Sequence, residues 1–313
     1  MPRVSQTAWF RQAMGKRALI CGCGYVGTAL GRLLRSEGHA VFGLRRTADH
    51  PELLAAGIVP LQGDISSDAD LAALPGPFDW VVHVASSTGG GTEEYRSVYL
   101  GGLRNLTTWL GHTNGQPSRL VYTSSTSVYG QTDGGWVDET CPTEPASETG
   151  GILVAAEQLL RAVPKNVHTS ILRVSGIYGP GRGHLFRQFV AGKIAAPNAS
   201  NRWLNMVHRD DVATAIQAVL RHDGAPGVTY NVTDKEPVLA NDFLRWVGEQ
   251  LEPRPTVPHA EPAAARPSKR AETHKRVSNR LLRETIGWEP VYPTFREGYA
   301  EAIRAVKAGK FLA

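Results

Sequence analysis

Short apolar runs alternate with amphipathic segments through the first 170 residues, and similar segments recur between residues 211 and 232. Runs with the length of a buried strand occur at residues 17–21, 40–44, 81–85, 120–124, 169–174 and 227–232. Helical spacing of apolar residues fills the intervals, at residues 28–38, 95–110, 152–163 and 211–221. This alternation predicts an α/β fold with a Rossmann-type doubly wound parallel sheet.

The first predicted turn, between the strand at 17–21 and the helix after it, has the sequence GCGYVG. Its first glycine permits a tight turn, its second lets the backbone approach a pyrophosphate, and its third lets the helix pack against the strand. The helix amino terminus adds N–H donors. We therefore expect a dinucleotide to bind here, the alternative being a glycine-rich turn without a ligand. The residues concerned are Gly22, Gly24, Tyr25, Val26 and Gly27.

The second predicted strand ends at Arg45 and Arg46. An acidic residue at this point would bind the ribose 2′-hydroxyl of NAD and repel the 2′-phosphate of NADP. Two guanidinium groups would instead hold that phosphate through charge-assisted hydrogen bonds. We therefore expect NADP rather than NAD, the alternative being two solvated arginines.

A further acidic candidate, Asp64, stands with Ile65 after a third short predicted strand, in the segment LQGDIS. Its carboxylate is placed to accept a hydrogen bond from the adenine amino group. A turn carboxylate that caps the next helix is the alternative, and the sequence leaves both open.

Composition and charge narrow the class of protein. The 313 residues are 42% hydrophobic and 20% charged, as in ordinary soluble globular proteins. No apolar run approaches the roughly 18 to 20 residues that span a bilayer, and no secretory signal is evident, so we expect a cytoplasmic protein without membrane contact. The net charge of +5 is scattered apart from one basic cluster, which lacks the aromatic interleaving of nucleic-acid binding. The three cysteines, Cys21, Cys23 and Cys141, predict neither disulfides nor a metal site.

The regular alternation ends near residue 176, where glycine, proline and basic residues dominate in GIYGPGRGHLFRQFVAGK. We expect residues 16–175 to form the dinucleotide-binding Rossmann domain, with 206–234 returning to it. Residues 176–205 and 235–313 then form a smaller, discontinuous C-terminal substrate lobe. Residues 1–15 are interpreted as an N-terminal extension, and the proline-rich stretch at 252–268 as an irregular surface connection.

Further motifs follow the glycine turn in a fixed order: GDI at 63–65, HVAS at 83–86, TSSTSVYG at 123–130, LRVSGIYGPGR at 172–182, NMVHRDDVA at 205–213 and GWEP at 287–290. In this order and spacing the chain resembles the short-chain dehydrogenase/reductase superfamily, specifically the extended type of the NAD-dependent epimerase/dehydratase family. The resemblance covers nearly the whole chain.

The resemblance implies roles for particular residues. Ser125 occupies the position of the family's catalytic hydroxyl. Val84 and Ala85 line the cofactor, and the backbone around Gly176 passes the nicotinamide. Ser86 and Ser124 lie within the same motifs and are included in the expected cofactor site. The resemblance also allows a homodimer through the helices at 95–110 and 150–163.

The chain departs from the family where a tyrosine and a lysine are expected on one helix face. Those positions fall on Thr149 and Leu153. A threonine hydroxyl is too weak an acid to protonate a carbonyl unassisted, and leucine carries no charge. Tyr99 stands where the family has an asparagine. The proton relay is therefore rebuilt or absent.

Several residues are candidates for the missing proton donor. The candidate catalytic set is Ser125, Thr149, Tyr129 and Tyr178, and further donors are His184, His208 and Glu148. For the two tyrosines, packing with a satisfied hydroxyl is the alternative. His208 precedes Asp210, which is interpreted as a helix N-cap.

Two classes of function follow. The first is an NADP-dependent oxidoreductase, an epimerase/dehydratase-like short-chain reductase, that acts on a small carbonyl, hydroxyl or sugar-derived substrate with a rebuilt proton relay. The second is a non-catalytic NADP-binding sensor or regulatory protein, because loss of an acid and its charged partner costs catalysis more than binding.

Overall fold

A computed structural model describes residues 15–47, 49–87, 89, 91–112, 116–163, 167–194, 201–252 and 273–310. The proline-rich connection predicted at 252–268 lies outside these residues except for Glu252. The predicted N-terminal extension lies outside them except for Gly15.

Strands and helices alternate along the described chain. The strands are β1 Arg17–Cys21, β2 Ala40–Arg45, β3 Val59–Gln62, β4 Trp80–His83, β5 Arg119–Ser125, β6 Trp136–Val137, β7 His168–Val174, β8 Gly176–Tyr178, β9 Trp203–Leu204, β10 Met206–His208, β11 Val228–Val232, β12 Val238–Leu239 and β13 Arg276–Val277. The α-helices are α1 Tyr25–Ser36, α2 Pro51–Ala55, α3 Asp68–Ala72, α4 Gly91–Arg96, α5 Gly102–His112, α6 Glu148–Arg161, α7 His184–Val190, α8 Arg209–Arg221, α9 Ala240–Gln250, α10 Arg280–Ile286 and α11 Phe295–Lys307.

A seven-stranded sheet has the order β11-β7-β5-β4-β1-β2-β3. The pairs β1 with β2, β1 with β4, β2 with β3 and β4 with β5 are parallel. The chain runs outward from β1 through β2 to β3, then crosses back to β4 on the other side of β1. This order confirms the predicted α/β doubly wound fold, and it places the topological switch point between β1 and β4.

Burial explains why the first strand and the first helix form where they are predicted. In β1, residues 18–21 are completely buried, as a strand covered on both faces requires. In α1, Leu30 and Leu34 are fully buried and Leu33 is partly exposed, so the predicted apolar stripe faces the sheet.

Some predicted boundaries are wrong. The helix predicted at 95–110 begins at Gly91 and contains a π-helical turn at Ser97–Gly101, which interrupts the apolar spacing. The strand predicted at 81–85 ends at His83, and the helix predicted from residue 152 begins at Glu148. Asp210 is not an N-cap, because α8 already begins at Arg209.

Residue packing divides the chain into two compact units. Unit 1 comprises residues 1–124, 152–172 and 213–229, and unit 2 comprises residues 125–151, 173–212 and 230–313. The apolar core of unit 1 is built from strand residues such as Leu19, Val81 and Leu120. The core of unit 2 contains an aromatic cluster around Phe243 and Tyr299. In the part of the chain that the structure describes, no helix is long and apolar enough to cross a membrane.

Candidate functional site

The glycine turn lies directly against the carboxyl end of β2. The amide N–H groups of Gly22 and Cys23 both donate to the carbonyl oxygen of Leu44, at 3.1 and 3.2 Å. Gly22 has φ of 89°, and a Cβ atom there would lie 2.2 Å from the Cα atom of Ala85. Only glycine fits both conditions, so this residue sets the turn next to the loop after β4.

The second and third glycines have different surroundings. The atom nearest to a Cβ on Gly24 would be the carbonyl oxygen of Gly22, at 3.9 Å, so open space lies above its Cα atom. A Cβ atom on Gly27 would lie 2.7 Å from the Gly22 oxygen and 3.0 Å from Cγ2 of Ile20. Gly24 therefore leaves room for a ligand, whereas Gly27 permits close packing of helix on strand.

The amino terminus of α1 is suited to an anion. Gly24 is the N-cap residue, and no side chain accepts a hydrogen bond from the first turn. Tyr25 and Val26 open this twelve-residue helix, whose dipole places partial positive charge at their end. Backbone N–H groups in such a position bind phosphate groups.

The loop after β4 carries three of the predicted cofactor residues. The N–H group of Val84 donates to the carbonyl oxygen of Cys21 at 2.9 Å, so this loop follows β1 closely. Ala85 packs against the core of unit 1, and Ser86 is exposed. These residues and the glycine turn flank the switch point, where open α/β sheets bind their ligands.

Two arginines follow at the same edge of the sheet. Arg45 is the last residue of β2, and its Nη1 atom lies 2.6 Å from Oε1 of Glu52. Arg46 contacts Glu94 at 3.5 Å and is exposed. Surface ion pairs of this kind contribute little free energy, and a guanidinium group has several N–H donors. Each guanidinium group therefore has N–H donors beyond the one that contacts its glutamate.

The carboxylate of Asp64 organises its own turn. Its Oδ1 atom accepts from the backbone N–H and the hydroxyl of Ser66, at 2.8 and 2.7 Å. Ser67 is the N-cap of helix α3, so Asp64 does not cap this helix. Ile65 is buried, and its Cγ2 atom would lie 2.7 Å from a Cβ on Gly102, which indicates a packing role.

Adjacent serines end β5 and have different partners. The hydroxyl of Ser124 is buried and donates to Oε1 of Glu157 at 2.7 Å. The half-buried Ser125 caps a short 3₁₀ turn, where its Oγ atom accepts from the N–H of Ser127 at 3.2 Å. That bond leaves the hydroxyl proton of Ser125 for another acceptor. Its position fits the role that the resemblance implies.

Tyr129 is part of a buried network in unit 2. Its ring is fully buried, and its hydroxyl donates to Oδ1 of Asn231 at 2.9 Å and accepts from Nη1 of Arg173 at 2.8 Å. Burial raises the pKa of this hydroxyl to about 12. These contacts fit packing with a satisfied hydroxyl rather than proton donation.

Tyr178 has similar surroundings. It is buried, its ring stacks on Tyr299 with centroids 4.5 Å apart, and its hydroxyl contacts the carbonyl oxygen of Thr294 at 3.4 Å. Burial raises the pKa of this hydroxyl well above its ordinary value. Gly176, two residues earlier, is exposed and donates its N–H to Asn205 at 3.0 Å.

The helix α6 carries the two substituted positions. Thr149 is half-buried, and its hydroxyl donates to Oγ of Ser147 at 3.4 Å. Leu153 is completely buried, so a lysine there would have to lose its hydration. Tyr99 lies in the π-helical turn and stacks on Tyr95, with centroids 4.2 Å apart.

Of the remaining candidate proton donors, two are exposed and one is buried. His184 begins α7, and Glu148 begins α6; both are exposed. His208 is buried, and burial lowers its pKa. Its Nδ1 atom accepts from the N–H of Asp210 at 3.3 Å, so its hydrogen-bonding role is local.

Three buried polar residues have roles that sequence reasoning missed. Glu157 binds Ser124, Arg173 binds Tyr129, and the ammonium group of Lys275 donates to the carbonyl oxygen of Tyr129 at 2.9 Å. Burial lowers the pKa of Lys275 to about 8. A polar residue whose partner is distant in sequence gives no local signal, although Glu157 stands four residues after Leu153 and so shares a helix face with that buried leucine.

Comparisons with known proteins identify the family and the fold of this chain. Residues 18–233 match the NAD dependent epimerase/dehydratase family. Protein YeeZ of Escherichia coli K12 is 30% identical over 287 residues, which cover 89% of this chain and 97% of YeeZ. A protein from Methylobacillus flagellatus, provisionally named an NAD-dependent epimerase/dehydratase, is 33% identical; the match covers 93% of this chain and 99% of that one, with a TM-score of 0.74. UDP-glucose 4-epimerase from Bifidobacterium longum, solved with NAD⁺ and UDP, shares the fold at 18% identity, with 94% and 99% coverage and a TM-score of 0.76.

Proposed function

Because the chain belongs to the NAD-dependent epimerase/dehydratase family, we propose that it is an NADP-dependent oxidoreductase that acts on a small carbonyl, hydroxyl or sugar-derived compound. One observation carries the proposal: an open glycine turn is followed, at the end of the neighbouring strand, by Arg45 and Arg46. The turn offers backbone N–H groups to a pyrophosphate. The arginines offer planar, charged donors to a 2′-phosphate.

The choice of NADP over NAD rests on charge at the end of β2. A carboxylate at this point would hold a ribose 2′-hydroxyl and repel a phosphate, but the chain has two guanidinium groups. Their contacts to Glu52 and Glu94 are surface ion pairs, which a phosphate dianion can outcompete.

When bound, the nicotinamide ring supplies or accepts a hydride. Ser125 would donate its hydroxyl proton in a hydrogen bond to the substrate oxygen, because its Oγ atom already accepts from Ser127. The buried hydroxyls of Tyr129 and Tyr178 are poor proton sources at neutral pH. We therefore assign the proton to water or to an exposed group such as His184 or Glu148.

A second function is favoured by the substituted helix face. Thr149 and Leu153 replace an acid and its charged partner, and Leu153 is fully buried. Such a change costs catalysis far more than binding. The alternative is therefore a non-catalytic NADP-binding sensor or regulatory protein.

The cofactor assignment is tested with the double variant Arg45→Ala, Arg46→Ala. By calorimetry we expect the Kd for NADPH to rise about 100-fold and the Kd for NADH to change less than about threefold, because only NADPH carries the extra phosphate. Arg245→Ala, which removes an exposed arginine paired with Asp242, serves as the control. Equal losses for both coenzymes would refute the preference for NADP.

The choice between enzyme and sensor needs a turnover assay. Purified protein is incubated with NADPH and a panel of small aldehydes, ketones and keto-sugars while the loss of NADPH absorbance is followed. Turnover that falls about 100-fold in Ser125→Ala, with NADPH affinity unchanged, supports the oxidoreductase. Tight NADPH binding without turnover on any compound supports the sensor. Full activity in Ser125→Ala would remove the assigned role of this serine.

A further inference from the structure

Unit 2 carries a stack of aromatic rings around one guanidinium group. The Cζ atom of Arg276 lies 5.2 Å from the ring centroid of Trp136 and 5.2 Å from that of Trp203. Trp203 in turn stacks on His274, with centroids 6.4 Å apart and planes 19° apart. Arg276 and Trp136 are register partners in the parallel pair of β13 and β6, so the backbone places them side by side. We call these four residues the Trp136 stack.

Hydrogen bonds fix the members of the Trp136 stack. The Nε atom of Arg276 donates to the carbonyl oxygen of Gly134 at 2.9 Å. The Nδ1 atom of His274 accepts from the N–H of Trp203 at 3.2 Å, and the carbonyl oxygen of His274 accepts from the N–H of Gly134 at 2.7 Å. Gly134 has φ of 78°, a conformation that favours glycine. The guanidinium plane is therefore held in one orientation before any ligand arrives.

Arg276 has no acidic partner in the part of the chain that the structure describes. Among the residues that the structure describes, no carboxylate lies within ion-pair distance of Arg276, Lys275 or Arg202. The nearby Asp133 accepts from the N–H of Gly135 at 2.9 Å and forms no ion pair with Arg276. Four other basic side chains of unit 2 do have acidic partners: Arg245 with Asp242, Arg283 with Glu289, Lys235 with Glu289 and Arg296 with Glu236.

One end of the Trp136 stack faces water. Trp136 is 55% exposed. It is the most exposed tryptophan, tyrosine or phenylalanine among the residues that the structure describes. A purely structural clamp on Arg276 does not require so much indole surface in solvent. Contact of a flat ring with the exposed part of this indole, on the side of Arg276, would remove apolar area from water.

From these contacts we infer that the Trp136 stack binds a small anion that carries a flat ring, such as an aromatic carboxylate or phosphate. The ring stacks on Trp136, and the anionic group binds the Nη edge of Arg276. Two indole rings lie against that guanidinium group and Gly134 accepts from its Nε atom, so we assign the anion to the Nη edge. The site is independent of the proposed reductase function, since it uses none of the residues assigned there.

The test measures binding of four probes to the full chain by ligand-observed NMR titration. Benzoate and phenyl phosphate carry both ring and charge, benzamide lacks the charge, and cyclohexanecarboxylate lacks the flat ring. We expect benzoate and phenyl phosphate to bind at least about tenfold more tightly than the other two. The stronger of the two anions identifies the chemical class of the ligand.

Variants separate this site from any other. Arg276→Lys keeps the charge but loses the planar fork, and Trp136→Ala removes the exposed ring; each should weaken benzoate binding about tenfold or more. Arg245→Gln, an exposed arginine elsewhere in unit 2, should change it less than about twofold. Thermal unfolding of each variant confirms that it is folded. Equal affinity for benzoate and benzamide, or unchanged benzoate binding in folded Arg276→Lys and Trp136→Ala, would overturn the proposal.

Discussion

Polar groups are accessible at the glycine turn of unit 1, whereas the tyrosine hydroxyls of unit 2 are buried. At the turn, open space lies over Gly24 and no side chain caps the first turn of α1. In unit 2, the hydroxyls of Tyr129 and Tyr178 are buried and hydrogen-bonded. Groups that await a ligand stay accessible, whereas groups that hold a fold together are covered and paired. The comparison assigns binding to the first region and stability to the second.

The largest expected effect is a difference in stability between alanine variants of two glycines in the same turn. Gly22→Ala should lower the free energy of unfolding by about 3 kcal/mol or more, because its Cβ atom would meet the backbone of Ala85 and its φ is positive. Gly24→Ala should lower it by only about 1 kcal/mol, yet raise the Kd for NADPH about tenfold or more. Urea unfolding and calorimetry give the two quantities. If Gly24→Ala bound NADPH as tightly as the wild type, the turn would not be the pyrophosphate site.

The second-largest expected effect is the loss of stability when the buried hydroxyl of Tyr129 is removed. Tyr129→Phe should lower the free energy of unfolding by about 1 to 3 kcal/mol, because Asn231 and Arg173 each lose a buried partner. NADPH affinity should stay within about twofold of the wild type. Tyr292→Phe, which alters a half-buried tyrosine of the same unit, is the matched control for removal of a hydroxyl. Loss of turnover without loss of stability would contradict the comparison and restore Tyr129 as a proton donor.

The smallest effect is a dependence of stability on pH. Burial lowers the pKa of Lys275 from 10.5 to about 8, so between these values the unfolded chain binds the proton more strongly than the folded chain. The contribution of this lysine to stability is therefore complete above pH 10.5 and is lost as the pH falls through about 8. Between pH 8 and 10, the unfolding free energy of Lys275→Met should rise less than that of the wild type.

Urea unfolding at several pH values measures this difference. Lys235→Met is the control, because Lys235 is more exposed and pairs with Glu289. Equal pH dependence in the wild type and Lys275→Met would mean that Lys275 is not desolvated in the folded state.

Sequence alone predicted much of the fold and the glycine turn. The strand at 17–21, the turn and the helix after it are neighbours in sequence, so their periodicity and glycine spacing suffice. The π-helical turn around Tyr99 was not predicted, because the glycine pair at its end, Gly101 and Gly102, does not by itself specify a π-helical turn. The turn of Asp64 and the cap at Ser67 were ambiguous, because adjacent polar residues can each serve either role.

The roles of the remaining polar residues follow from partners far away in the chain. Tyr129 binds Asn231 and Arg173, which lie 102 and 44 residues away, and Trp136 packs against Arg276. Local patterns establish which strands and helices form and where a dinucleotide can dock, because the physical causes act over a few residues. The folded chain decides which hydroxyl is covered, which aromatic rings surround a cation and which indole faces water, because it brings distant segments together.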